Sequence, residues 1–259
     1  KNFFFKKFLQ GGCIMVLPKS LLFHIAIPAI IFFSPDPLSI AGDDWQLHNP
    51  PAEISDAEEV ELGKHVDEYI RHQFYLEDDP DFNQVVNSIV QRVVAASDRN
   101  TLPFTCVILQ SLSINAFSAP GGYIYLTYGL LKFAQTEDEV AGIIGHEVAH
   151  VSLRHASRLY HEVMEINSRD EKELHSMTKV LLLYSHLEEF EQDADTKGIL
   201  YAQKAGFNPK GLLDFLERHL NFMMHQRLFG MFDSAFTAAI TARLNHLREC
   251  LSSLERSNN

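Results

Sequence analysis

The chain has 259 residues, 46% of them hydrophobic and 22% charged, with a net charge of −12. That length allows one large domain or two small ones with a full hydrophobic core, and the composition is ordinary for a globular protein. The acidic balance argues against wrapping a nucleic-acid backbone.

The first 41 residues differ from the rest. Lysines at 1, 6, 7 and 19 precede an apolar run over residues 21–33, interrupted by Pro28. A membrane-spanning helix needs ~20 apolar residues, so this run is too short. Ser39 and Ala41 then supply small residues at the −3 and −1 positions of a cleavage after Ala41. Basic start, short apolar middle and small-residue exit describe a secretory signal peptide over 1–41, with an uncleaved N-terminal anchor as the alternative. Met15 is a candidate start. Cys13, in LQGGC, is a weak lipidation candidate because too little apolar sequence precedes it. Residues 42–259 then form the folded domain. Cys106 and Cys250 are not a disulfide framework, and free or paired states both stay open.

Ser55-x-x-Glu58 is a capping box that opens an amphipathic helix with Val60, Val66, Tyr69 and Ile70 inward. Asp79 followed by Pro80 starts a second helix. There Phe82, Val85, Val86, Ile89, Val90, Val93 and Val94 recur at three and four, so one face is buried. LPFTCVIL, residues 102–109, is rich in strand formers. SINAFSA, PGG and YIYLTYG then read as two extended segments around a glycine turn. Tyr123, Tyr125 and Thr127 face one way; Ile124, Leu126 and Tyr128 face the other. Thr136-x-x-Glu139 is a second capping box, heading a helix through GIIGHEVAHVSLRH. Residues 156–188 are helical in composition. EFEQDADTKGILYAQKAG is a further helix stopped by Gly206, and Asn208-Pro209 starts another. The tail LSSLERSNN reads as frayed. The fold class is α+β: mostly helical, with a small antiparallel sheet beside the helix of HEVAH.

On a helix, positions i and i+4 share a face, so His146 and His150 point two imidazoles at one ion. Glu147 lies about 100° round, able to reach a ligand of that ion but not the ion itself. A catalytic zinc acidifies a water to a pKa of ~7, and a neighbouring carboxylate takes its proton. Only about 0.04 chance matches to HExxH are expected in a chain of this composition. A third ligand must come from elsewhere. EFEQDAD offers Glu191, with Asp195 on the same face to accept the other ring N–H of a zinc-bound histidine. The bland alternative is a solvated acidic face, since Glu188, Glu189 and Asp193 crowd around.

NAFSAPGGYIYLTYGLL, EDEVAGIIGHEVAHVSLRHA and FEQDADTKG, in that order, resemble the HtpX / CAAX-prenyl-protease family of zinc metalloendopeptidases. The likeness runs from about residue 53 to 249 and is greatest to the soluble, exported BepA-type members. It implies a gluzincin-type domain with one Zn2+ per chain, held by His146, His150 and Glu191. Glu147 is implied as the base, and Asp195 as a catalytic residue in an orienting role. The pattern is not complete. His186 and Glu188 stand where relatives carry Ser-Arg. Thr237 and Ala238 stand where His-Pro would fall, leaving Arg243, which would steady an oxyanion or a loop. No histidine occupies the position from which some relatives plug the metal, and His225 reads as a surface residue.

The resemblance, with the signal pattern, implies an exported endopeptidase for polypeptides, above all unfolded or misassembled envelope proteins. Its place would be the periplasm or outer-membrane periphery, with outer-membrane assembly machinery as a candidate partner. The GGYIYLTYG strand would border the cleft and take an extended peptide on its edge. Tyr123, Tyr125 and Tyr128 would line pockets there, or be core and surface aromatics. His65, His72, His155, His161 and His175 read as surface or capping residues. The alternative function is a non-proteolytic periplasmic chaperone or docking module with a mainly structural zinc. An integral-membrane prenyl-protein protease is disfavoured by the lack of a ~20-residue apolar span.

Overall fold

In the computed structural model, residues 54–158, 188–225 and 234–257 are described. The expected signal peptide over 1–41, with Cys13, and the stretch 159–187, with His161, His175 and His186, lie outside them.

Helix α1 (Asp56–Gln73) begins at the expected capping box, Ser55 and Glu58 bonding reciprocally. Val66 and Ile70 are buried, whereas Val60 and Tyr69 are only half-buried. The inward face also carries Glu59 and Asp67, two acids that the apolar period does not reveal. Helix α2 (Pro80–Ala95) starts on Asp79, whose side chain accepts from Asp81 and Phe82 N–H. It buries Phe82, Val86, Ile89, Val90 and Val93. Val85 and Val94 pack at its rim.

Strands β1 (Thr105–Leu109), β2 (Ala116–Ala119) and β3 (Tyr123–Thr127) form one sheet in the order β1-β3-β2. The hairpin pair β2–β3 is antiparallel, as expected, with Ala116 opposite Leu126. β1 joins the far side of β3 in parallel, Thr105 opposite Tyr123, so the sheet is mixed rather than wholly antiparallel. Residues 110–115 carry the chain past β3, and Thr127 anchors that link. Its hydroxyl lies 2.6 Å from Ser113 O and 2.9 Å from Asn115 O, and accepts from Asn115 N–H. β3 is thus the central strand with both edges paired, which corrects the expectation that it receives substrate on its own edge. The turn between β2 and β3 is a 3-10 segment, Pro120–Gly122. Gly121 has φ +75°, and a Cβ there would lie 2.7 Å from Val60 Cα, so glycine lets α1 rest on the turn.

The sheet's two faces serve two cores, as strand alternation requires. Val107, Leu109, Phe117, Ala119 and Tyr125 pack under Val66 and Ile70 of α1. Ile108, Ala116, Ile124 and Leu126 face the larger helical core. Tyr125 is fully buried, stacked on Phe117, with its hydroxyl donating to Asp67. It is core, not pocket. Tyr128 is not a strand residue: it opens the short helix α3 (Tyr128–Phe133), because Thr127 Oγ1 caps Leu130 N–H.

Helix α4 (Glu137–Ser152) is buried all round from Glu139 to Val151, so it is the central helix of the domain. Thr136 caps Glu139 N–H, but Glu139 bonds Gln135 N–H and Arg218 instead of closing the expected box. Helix α5 (Glu188–Lys204) ends at Gly206 in the left-handed region. Helix α6 (Gly211–His225) follows, and α7 (Ser234–Ser257) completes the bundle. The tail expected to fray is helical to Ser257, since Leu244, Leu247 and Leu251 repeat into the core. α4 packs on α5 more extensively than any other pair of elements among the described residues.

Candidate metal centre

The closeness of α4 and α5 has a backbone cause. A Cβ at Gly145 would lie 2.4 Å from Gly198 O, and one at Gly198 would lie 2.6 Å from His146 N. Two glycines let the helices touch backbone to backbone, and Glu191 thereby reaches the histidine face of α4.

His146, His150 and Glu191 are all buried, and their ligand atoms come together. The two Nε2 atoms are 3.0 Å apart. His146 Nε2 lies 3.4 Å from Glu191 Oε2, and His150 Nε2 lies 3.4 Å from Oε1. A tetrahedral zinc with bonds of ~2.1 Å places its donors about 3.4 Å apart. Two imidazoles and one carboxylate, offering one donor atom each within 4.8 Å of one another, are a donor set that would hold a zinc ion. The first turn of α4 is acidic, and Glu147 is buried beside its two histidines.

Around this set lies a polar shell. Asp195 Oδ1 is 2.9 Å from His146 Nδ1, so the aspartate meets the first histidine as expected. Arg243 of α7 bonds both oxygens of Asp195 and places its remaining nitrogen 2.6 Å from Glu191 Oε2. The sequence reading gave Arg243 an oxyanion or a loop; it instead grips both acids of α5. Burial opposes its charge, but Asp195 and Glu191, with Glu147 further off, outweigh that and hold it protonated. For Glu191 and Asp195 burial is likewise overcome, chiefly by Arg243 and then His146, so both carboxyls sit below their ordinary range. Burial and Arg243 work against an imidazolium at His146, yet Glu191 and Asp195 raise its pKa to about 10. The carboxylates that favour a proton there would also attract a cation.

The structure contradicts the surface reading of His155. Its side chain is 1% exposed, its Nδ1 lies 2.8 Å from His150 Nδ1, and its ring stacks on Phe190. Burial, helped by His150 and Arg158, lowers its pKa to about 3. No periodicity announces this contact, because it needs the helix to end and the chain to double back. Arg154, with φ +59°, makes that reversal; it is the only non-glycine with positive φ among the described residues. Arg154 and Arg99 bond Asp56 and the buried Glu59 of α1, and Arg99 also caps Val151 O at the end of α4. His65, His72 and His225 are exposed, as expected. Cys106 and Cys250 are both free.

A buried helix carrying HEVAH, facing an acid from a second helix, is the arrangement of a metalloprotease. The chain belongs to peptidase family M48, whose model matches residues 80–251. It is similar to the beta-barrel assembly-enhancing protease of Escherichia coli, 26% identical over 188 residues, which are 65% of this chain and 39% of that protein. A putative beta-barrel assembly-enhancing protease of Vibrio cholerae is 29% identical over 163 residues, 54% of this chain and 33% of that one. The mitochondrial metalloendopeptidase OMA1 of Schizosaccharomyces pombe is 24% identical over 143 residues, 51% and 42% of the two chains. The chain thus spans less than half the length of these relatives.

Proposed function

We propose that this protein is a zinc-dependent endopeptidase that cleaves unfolded or misassembled proteins of the cell envelope. The observation that carries the reading is the buried donor set of His146, His150 and Glu191, one ligand atom from each within 4.8 Å of the others, with Glu147 next to the first histidine. One Zn2+ held there supplies a Lewis acid for the scissile carbonyl and acidifies a water. Glu147 takes the proton of the attacking water and delivers it to the leaving amine. Asp195 keeps His146 in the Nδ1–H form that leaves Nε2 free to ligate, and Arg243 keeps Asp195 in place.

Substrate backbone has a place to pair. Among the described residues the outer edge of β2 pairs with no strand, and β2 packs on α4 more than β3 does. Pairing alternates along an antiparallel ladder, and Thr127 N–H donates to Asn115 O at 3.0 Å. The N–H and C=O groups of Ala116 and Ser118 therefore point outward, toward an extended peptide. Recognition through backbone carries little sequence preference, which suits clearance of unfolded chains.

The same proposal reads residues 1–41 as a signal peptide or anchor, 42–259 as the protease domain, and the periplasm or outer-membrane periphery as its location. No helix among the described residues is long and apolar enough to cross a membrane. Two bacterial relatives are beta-barrel assembly-enhancing proteases by name, and this supports a link to outer-membrane assembly machinery.

The test is Glu147→Gln in the full chain, assayed on unfolded casein with zinc measured per chain. Zinc content should stay near one while hydrolysis falls by about 10²–10⁴-fold, the usual range for a lost general base. Undiminished hydrolysis removes Glu147 from the reaction. Zinc without any hydrolysis in the parent chain favours the chaperone or docking reading.

A further inference from the structure

The ring of His150 is backed by a second imidazole. α4 ends at Ser152, Arg154 turns the chain in the left-handed region, and His155 returns against the helix it has just left. Its Nδ1 faces His150 Nδ1 at 2.8 Å. Its ring lies parallel to Phe190, 4.2 Å between centroids and 4° between planes, and the next residue along α5 is Glu191. Its Nε2 is buried and has no hydrogen-bond partner among the described residues.

Proton counting fixes the direction of the His150–His155 bond. A ring nitrogen that ligates a metal carries no proton, so a neutral His150 that ligates through Nε2 keeps its one proton on Nδ1. That proton points at His155 Nδ1, which can accept it only if His155 carries its own proton on Nε2. The reverse arrangement, with His155 donating, moves the His150 proton to Nε2 and blocks the ligand atom. Packing alone gives no reason for a histidine here. Phenylalanine would fill the same slot against Phe190 without burying a nitrogen that has no partner among the described residues.

We propose that His155 is a positioning residue of the metal centre: a neutral acceptor that fixes the tautomer and ring plane of His150. The inference rests on the metal-centre reading given above. It makes the two ligating imidazoles unequal. His146 leans on a carboxylate that Arg243 clamps, while His150 leans on another imidazole. The support for His155 extends to α1, which begins before the matched family region. Arg154 donates to Ile54 O at 2.8 Å and to Glu59 at 3.1 Å, and pairs with Asp56. The N-terminal turn of α1 thereby holds the loop that holds the ligand.

Two variants of the full chain separate an acceptor from a filler. His155→Phe keeps the stacking volume and loses the acceptor; His155→Asn loses the stack and keeps an oxygen near the place of Nδ1. Zinc affinity is read by competition with a chromophoric chelator, and folding by the urea midpoint. His155→Phe should bind zinc about 10–100-fold more weakly while His155→Asn stays within about threefold of the parent chain. The opposite ranking overturns the proposal and makes His155 a packing residue. A second readout needs no substitution. Long-range ¹H–¹⁵N spectra of the zinc-loaded parent chain should show His155 neutral with its proton on Nε2; a proton on Nδ1 overturns the proposal. Failure of the parent chain to bind zinc overturns the metal-centre reading and this inference with it. Zinc binding that neither variant weakens removes His155 alone.

Discussion

Arg243 holds Asp195 by both carboxylate oxygens, Nε donating to Oδ2 at 2.9 Å and a terminal nitrogen to Oδ1 at 2.6 Å. Its other terminal nitrogen reaches Glu191 Oε2 at 2.6 Å, so one guanidinium from α7 secures both acids that α5 brings to the centre. Removing one partner from a buried ionic cluster leaves uncompensated charge, which typically costs about 3–5 kcal/mol. Arg243→Met should therefore destabilise the chelator-treated protein by about that much. Zinc supplies a replacement positive charge for Glu191, so the loss should shrink in its presence. Urea unfolding of the parent and variant, with chelator and with zinc, checks this. An equal loss in both conditions would mean that Arg243 acts through packing.

Asp195 is fully buried, and its Oδ1 meets His146 Nδ1. Asp195→Asn is nearly isosteric but accepts less strongly, and its amide cannot satisfy the Arg243 fork at both positions. Outer partners of ligating histidines are typically worth 10–100-fold in metal affinity, and a loss of about that size is expected here. A chelator competition titration measures it. An unchanged zinc affinity would take Asp195 out of the supporting shell.

The touching backbones of α4 and α5 yield a prediction about a residue with no chemistry of its own. Gly198→Ala places a methyl carbon where only 2.6 Å separates it from His146 N, and the obstructing atoms are backbone. Overpacking typically costs about 1–3 kcal/mol, and the only relief is to part the helices. Parting them carries Glu191 away from the imidazoles. Gly198→Ala should thus lower the urea midpoint and weaken zinc together. Loss of stability with zinc affinity intact would show that the helix spacing does not set the donor spacing.

How much of this was legible depended on the range of each contact. The histidine pair and its glutamate are local, because one helical turn fixes their relation, and HEVAH exposes it. The caps at Ser55, Asp79 and Thr136 are equally local. Glu191 lies 45 residues beyond His146 on another helix; the acids of EFEQDAD made it a candidate, and the family resemblance chose it over a solvated acidic face. The parallel pairing of β1 was not legible, since pairing partners depend on where residues 110–115 carry the chain. His155 was missed for a related reason. Five residues after His150 it would lie off the ligand face of a continuous helix, and the positive φ at Arg154 has no glycine to signal it. The buried acids Glu59 and Asp67 were hidden because their partners, Arg99, Arg154 and Tyr125, come from distant segments.

A last prediction concerns pH and lies away from the metal centre. His219 of α6 is 7% exposed, set against Phe133 and Phe215 and next to the charge of Arg218. Burial first, and then Arg218, lowers its pKa from 6.5 to about 4. Between those values the unfolded chain takes up a proton that the folded chain refuses. Stability is therefore full above pH 6.5, falls as the pH drops from 6.5 toward 4, and is not lowered further by this group below 4. From pH 7.5 to pH 5 the loss from this one residue should be about 2 kcal/mol. His219→Phe suits the aromatic surroundings and removes the titrating group. Comparing urea unfolding of the parent and variant at the two pH values isolates the effect from carboxylates that titrate in both. The variant should lose less stability on acidification than the parent, by about that margin. Equal losses would mean that His219 opens to water before it takes its proton.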